Sequence, residues 1–235
     1  MIEHCYNSVI MTPVTPPPDE RAPGDGAAGS DARASAPPRR RAGGDGVDGV
    51  EQALLAAAAR LLTEEGPEAL SVRRVAAEAG VSAMGVYSRF GGKQGLVEAL
   101  FLDGFVRLQQ VLAAVPRTGD PVEDLLEGSR RYRRFALESP AAYAVMFSRA
   151  IPEFVPSAPC KLDAAGAFGV LVDAVRRGLD AGALRPGDPV DIAEGIWATC
   201  HGLVSLELAG MGFVPDREAH FEATNAALLR GLCAD

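Results

Sequence analysis

Apolar residues recur at three- and four-residue spacing along most of this chain, and the stretches that keep this period are punctuated by glycine, proline and capping residues. Val50, Leu54, Leu55, Ala58, Leu61 and Leu62 form one apolar stripe that stops at Gly66-Pro67, which predicts a first helix. Ser71 supplies an N-cap for a short second helix carrying Val72, Val75, Ala76 and Ala79, and Gly80 can take the positive φ that ends it. Ser82 caps a third short run, in which Val86 and Phe90 share one face while Ala83, Met84, Tyr87 and Ser88 point elsewhere. So short a helix buries little, and its predicted purpose is to present a face. Two short helices broken by a glycine turn and followed at once by a third make residues 66–102 a helix-turn-helix pattern, the layout of a DNA reader.

The helical period continues to the end of the chain. A long helix is predicted from about Lys93 to Val115, with Leu96, Leu100, Leu108, Val111 and Leu112 on adjoining faces. Asp120-Pro121-Val122-Glu123 has the cap, first-turn proline and acidic third position of a helix start, and Ser139-Pro140 is another. A proline-rich loop from Pro152 to Pro159 precedes a helix at about Leu162 to Ala181, which Gly182 can end. Asp188-Pro189 opens a helix to about Ala209, and Pro215-Asp216 opens a last one to about Leu232. No segment alternates with period two for long enough to demand a sheet, so the predicted class is all-α. A three-helix reader is expected at 49–95 and a larger helical domain at 96–235. Residues 1–48, with prolines at 13, 16–18, 23, 37 and 38, read as a disordered tail. Within it Arg39, Arg40 and Arg41 form a basic cluster that could reach a minor groove, although a solvated linker is the plainer reading.

Charge sharpens the reader. The chain as a whole has a formal net charge of -8, yet residues 71–93 hold Arg73, Arg74, Arg89 and Lys93 against Glu78 alone, a local balance of +3. With 235 residues and 48% hydrophobic composition the chain can bury a full core, and no apolar run is long enough for a membrane span. The N-terminus lacks a signal-peptide pattern, and Cys5, Cys160, Cys200 and Cys233 lack metal-ligand spacing. The expectation is a soluble cytoplasmic chain with free thiols and neither metal nor cofactor.

Gly66, the run from Leu70 to Ala76, Ala79-Gly80-Val81-Ser82, Val86-Tyr87, Phe90, Lys93 and Leu96 together resemble the DNA-binding region of the TetR family of bacterial transcriptional regulators. The resemblance implies that Ser71, Arg73, Tyr87, Arg89 and Lys93 hold DNA phosphates; a helix N-terminus, a hydroxyl and cations are all suited to that. It also implies that bases are read from Ala83, Met84, Gly85 and Ser88. The first three offer no bidentate hydrogen-bonding side chain, which leaves thymine-methyl contacts, Ser88 or Arg89, and DNA shape to carry specificity. The Gly91-Gly92 pair, where the family usually has a bulkier residue and a capping side chain, could alternatively let the following helix pivot.

Trp197, His201 and Gly202 form a Trp-x-x-x-His-Gly pattern that resembles the C-terminal ligand-binding and dimerisation region of one subgroup of the family, named for those three residues. His201 could serve as a ligand-contacting group or, as the plainer reading, as a packed histidine at a helix contact where Gly195, Ala198 and Gly202 permit close approach. The resemblance implies an effector pocket for a small lipophilic molecule among Phe105, Tyr132, Phe135, Tyr143, Phe147, Phe168, Trp197 and His201, with Tyr132, Tyr143 and His201 as its polar contacts. It implies a homodimer interface on the last two helices at Gly195, Gly202, Leu206, Phe221 and Leu228. Arg130, Arg131, Arg133 and Arg134 are expected on a solvated face, paired with Glu123, Asp124, Glu127 and Glu138. The function implied is a ligand-responsive repressor of double-stranded, palindromic operator DNA. Two other classes compete with it: an enzyme built on Trp197, Cys200 and His201, which lacks a convergent catalytic set, and a binding module that has lost its DNA.

Overall fold

A computed structural model describes residues 45–148, 151 and 154–234, and all the helices belong to one compact unit. The basic cluster Arg39–Arg41 and the rest of the expected tail up to residue 44 lie outside the described residues. Among the described residues the chain forms nine α-helices and one short 3-10 turn: α1 Asp45–Glu65, the turn Pro67–Ala69, α2 Val72–Glu78, α3 Ala83–Phe90 and α4 Lys93–Ala113. Then follow α5 Pro121–Glu138, α6 Pro140–Phe147, α7 Ala158–Asp180, α8 Pro189–Leu208 and α9 Arg217–Leu232. The fold is all-α, a helix-turn-helix unit followed by a larger helical part. An isolated β-bridge between Leu184 and Cys233 ties the segment after α9 to the α7–α8 turn.

Capping chemistry sets most helix starts. Ser71 accepts the amide of Arg74, Ser82 that of Gly85, and Asp120 those of Val122 and Glu123; Asp188 and Asp216 cap α8 and α9 in the same way. Three expectations needed correction. Helix α1 begins at Asp45, inside the span read as tail. Pro159 belongs to the first turn of α7 rather than to a loop, because a helix needs no amide donor there and Ser157 caps it. Ser139 stands at the start of α6 without capping it, since its hydroxyl accepts from Arg107 of α4 at 3.0 Å.

Two apolar cores form, and α4 serves both. Leu54, Ala57, Ala58 and Leu61 of α1 meet Val75 of α2, Val86 of α3 and Leu96, Val97 and Leu100 of α4, all buried. Each buried leucine or valine contributes about 1.5–3 kcal/mol, which holds two short helices, α2 and α3, that could not stand alone. Further along α4, Leu108 enters a second core with Leu125, Tyr132, Val172, Val175, Ile196, Val204, Phe221 and Leu229. No linker therefore falls at residue 95/96; the helix runs straight from one core into the other.

The turn into α4 is unusually tight. Gly91 sits at φ 70 and Gly92 at φ 132, both in the region that favours glycine. Three residues on, a methyl group added to Gly95 would run into the carbonyl oxygen of Phe90, a backbone atom that cannot rotate aside. Gly95→Ala is expected to cost about 1–3 kcal/mol through overpacking, a fall of roughly 2–12 °C in Tm for a domain of this size. Gly169→Ala in α7, where an added methyl meets nothing within 4 Å, is expected to raise stability by about 0.5–1 kcal/mol instead. Thermal unfolding by circular dichroism checks both; equal effects would remove the steric argument.

Candidate functional site

The reader face is built on α3 and the ends of its neighbours. Val86 is fully buried and holds α3 down, leaving Met84 at 73% and Tyr87 at 54% exposure, with Ser88 and Arg89 also exposed. Met84, Tyr87 and Ser88 fall on one side of the helix, as three- and four-residue spacing requires. Ala83 and Gly85 are only half-exposed, and Ala83 packs on the core. Of the four positions expected to read bases, Met84 and Ser88 therefore present themselves most fully. Ser88 spends its hydroxyl proton on the carbonyl of Gly85 at 3.1 Å, and Arg89 donates to the same carbonyl at 3.3 Å.

The local positive charge divides into paired and free groups. Arg60 binds Glu78 at 3.0 Å, and Arg74 binds Glu65 at 2.5 Å, which raises the Arg74 pKa through that hydrogen bond. Arg73, Arg89 and Lys93 are exposed, and no carboxylate among the described residues pairs with them. Lys93 begins α4 directly after α3, and Ser71 caps α2.

In the larger part, four of the eight predicted pocket residues form one hydrogen-bonded chain. Trp197 Nε1 donates to the Tyr132 hydroxyl at 3.3 Å, the hydroxyls of Tyr132 and Tyr143 lie 3.2 Å apart, and the Tyr143 hydroxyl reaches His201 Nδ1 at 2.6 Å. Indole is a donor only, so Tyr132 accepts from Trp197; its hydroxyl also lies 3.1 Å from His201 Nδ1, so the two phenols and the imidazole close a triangle. Burial lowers the pKa of His201, which favours the neutral ring there. Burial likewise raises the pKa of Tyr132 and Tyr143, keeping both phenols protonated. Phe105, Phe147 and Phe168 complete the cluster. Phe105 meets Phe147 edge-on at 5.3 Å between ring centres, Phe147 meets His201 edge-on at 4.9 Å, and Phe168 lies tilted 5.9 Å from Trp197. Phe135 stands apart from these pairs, beneath the Arg107 guanidinium at 5.8 Å.

Beside this cluster lies a partly open cavity of about 190 Å³, lined by the end of α4, the segment after it, α5, α7 and α8. Only Tyr132 and Trp197 of the predicted set line it; Leu125, Ser129, Leu171, Ala174, Ile196 and Cys200 form much of the remaining wall, with Arg117 and Arg177. Sequence reasoning missed these. Their helical spacing was visible, with 125, 128, 129 and 132 on one face and 170, 171, 174 and 177 on another, but nothing in the sequence says which faces oppose. Cys200 is no nucleophile: its thiol donates to Asn225 Oδ1 at 3.0 Å, and burial pushes its pKa up to about 11.

Two further expectations are revised. Phe221 is 2% exposed and packed within the chain beneath Arg133, so it offers no surface to a second copy. Gly195 and Gly202 do not mediate a helix contact around His201; both are exposed, and a methyl added to either meets nothing within 4 Å. With Ala198 and Leu206 they form an exposed stripe of small and apolar residues on α8, and Leu228 is half-buried on α9. The arginines of α5 are less solvated than expected. Arg133 grips Glu207 of α8 with two bonds at 2.8 and 2.9 Å, Arg130 reaches Glu222 of α9 at 3.0 Å, and Asp124 turns away to accept from Thr118. Arg131 does pair with Glu127, as the spacing predicts.

Comparison with known proteins places both halves. A model of bacterial regulatory proteins of the tetR family matches residues 54–100, and a model of the tetracyclin repressor-like C-terminal domain matches residues 125–228. An uncharacterized HTH-type transcriptional regulator of Mycobacterium tuberculosis is 45% identical over 73 residues, 31% of this chain and 34% of that protein. The match thus spans about a third of the relative's length. A protein of unknown function from Rhodococcus sp. RHA1 has a similar structure, with a TM-score of 0.70 and 28% identity over 79% of this chain and 96% of that one. A TetR family transcriptional regulator, PfmR from Thermus thermophilus, shares the fold at a TM-score of 0.58 and 24% identity, covering 75% of this chain and 97% of that one.

The buried histidine carries a pH signature. Its pKa in the fold lies below the ordinary value of about 6.5 for the unfolded chain, so its contribution is complete above that value and is lost as pH falls toward the lowered one. The Tm of the natural chain is expected to fall more steeply between about pH 7.5 and 5.5 than that of His201→Gln. Tyr143→Phe is expected to cost about 1 kcal/mol at neutral pH. Calorimetry at several pH values checks both, and parallel profiles for the two proteins would assign His201 no part.

Proposed function

The chain belongs to the TetR family of bacterial transcriptional regulators, and from that premise we propose that it is a homodimeric repressor, released from a palindromic operator by a small lipophilic effector. As a member of that family it is a DNA-binding regulator and not an enzyme. The observation that carries the DNA reading is the exposed α3 face with Arg73, Arg89 and Lys93 left without carboxylate partners beside it. Tyr87 and Lys93 hold phosphates, as do the α2 N-terminus at Ser71 and the two free arginines. Met84 supplies apolar contact to thymine methyls and Ser88 one polar contact, so base selection rests heavily on DNA shape.

A second copy packs on α8 and α9. On α8 Gly195, Ala198, Gly202 and Leu206 are exposed, and on α9 Ala219, Ala223 and Ala227 are exposed at four-residue spacing. The loop between them exposes Met211 at 64% and Phe213 at 102%. Small residues allow close helix approach, and a two-fold interface of four helices would set the two reader faces about 34 Å apart, one turn of DNA.

The cavity receives the effector, and Tyr132 transmits its presence. That residue lines the cavity while bonding to Tyr143 of α6 and to His201 of α8, and α6 packs directly on α1 of the reader. A ligand that reorients the Tyr132 hydroxyl shifts α6, and the change in DNA affinity is bounded by the ligand's preference for one state.

Fluorescence anisotropy with DNA from upstream of the gene tests the reading. Saturable, sequence-selective binding at moderate salt is expected, with Lys93→Ala weakening all sequences nearly equally. The log–log salt slope should flatten by roughly 0.9 per phosphate contact removed. Loss of base preference in that variant would overturn the phosphate role, and the absence of any selective complex would overturn repression. Sedimentation should show a dimer for the natural chain and a folded monomer for Gly202→Glu; a monomeric natural chain would overturn the interface.

A further inference from the structure

We propose that the cavity takes a small organic acid, an apolar body with a single carboxylate, held at its outer end by Arg117 and Arg177; this rests on the effector reading above. The wall is graded from wet to dry. Arg117 is exposed, in the segment after α4, and Arg177 is half-buried on α7, whereas Ser129, Tyr132 and Cys200 at the inner end are all buried.

The charges of the wall are unequal in their freedom. Asp173 is paired with Arg176 at 2.9 Å, and Asp124 accepts from the Thr118 amide at 3.0 Å and its hydroxyl at 2.7 Å. No carboxylate among the described residues pairs with Arg117 or Arg177. Two unpaired guanidinium groups are therefore what the outer end offers a ligand, and their planar forks match a carboxylate.

The inner end offers the reverse. Ser129 donates to the Leu125 carbonyl at 3.0 Å and Cys200 to Asn225 at 3.0 Å, so their protons are already committed. Tyr132 accepts from Trp197 and bonds to Tyr143. What remains there is apolar surface from Leu125, Ile196 and the Trp197 ring. A cavity of about 190 Å³ is smaller than the roughly 300–1,000 Å³ of drug-sized sites. That size suits an aryl-acetic or short acyl acid better than a long chain.

Trp197 is the sole tryptophan, so its fluorescence reports occupancy of the cavity directly. Phenylacetate and hexanoate are titrated against 2-phenylethanol and 1-hexanol, using the full chain and two variants. One is Arg117→Gln with Arg177→Gln. The other is Gly128→Leu, which fills the cavity from a position where an added methyl meets nothing within 4 Å. The expected result is saturable binding of an acid at least about tenfold tighter than its alcohol, reduced to the alcohol's level in the double arginine variant and abolished in Gly128→Leu. Alcohols that bind as tightly as the acids, with binding lost in Gly128→Leu, would overturn the acid while leaving the cavity as the effector site. No saturable change with any of the four, or binding indifferent to Gly128→Leu in a protein shown folded by circular dichroism, would overturn both.

Discussion

Everything in this molecule depends on one helix satisfying two cores at once. Leu96, Val97 and Leu100 of α4 lock against α1, α2 and α3, and Leu108, two turns on, is sealed among α5, α7 and α8. A helix is stiff over this length, so a displacement at one end is not absorbed between them. Phe101 and Phe105 mark the crossing: Phe101 packs in the reader core and at 4.9 Å on Phe105, which in turn meets Phe147 of the aromatic cluster. The junction is continuous packed matter rather than a tether. That is the property a reader coupled to a distant cavity requires.

Polar groups in the larger part are arranged to hold helices in register. The Tyr132, Tyr143 and His201 chain ties α5, α6 and α8 through groups that stay uncharged because burial disfavours their ionised forms. Arg133 and Glu207 do the opposite, bringing charge inside as a two-bonded pair with side chains only 15% and 17% exposed. Such a pair adds little net stability but is costly to break by removing one partner. It fixes how α5 meets α8, on the far side of α8 from the small-residue stripe available to a second copy.

Much of the fold was legible because its signals are local. Ser71, Ser82, Asp120, Asp188 and Asp216 each sit where a capping side chain reaches an amide two or three residues on, a relation that needs no distant partner. Ser139 shows the limit. It has the right type and spacing for a cap, yet Arg107, 32 residues away in sequence, takes its hydroxyl. Phe221 shows the same limit for burial: periodicity places it on an apolar face of α9 but does not say whether that face meets the chain's own core or a second copy.

The amino-acid sequence alone determined the helical elements and the family-specific reader. Each follows from residue type at short spacing or from a motif contiguous in the chain. Tertiary structure decided which helix faces oppose one another. Through that it set the position of the cavity, the separation of Arg60 and Arg74 as paired from Arg73, Arg89 and Lys93 as free, and the clash that demands glycine at 95. A helix repeats its spacing whatever it packs against, so periodicity carries the face and never the neighbour.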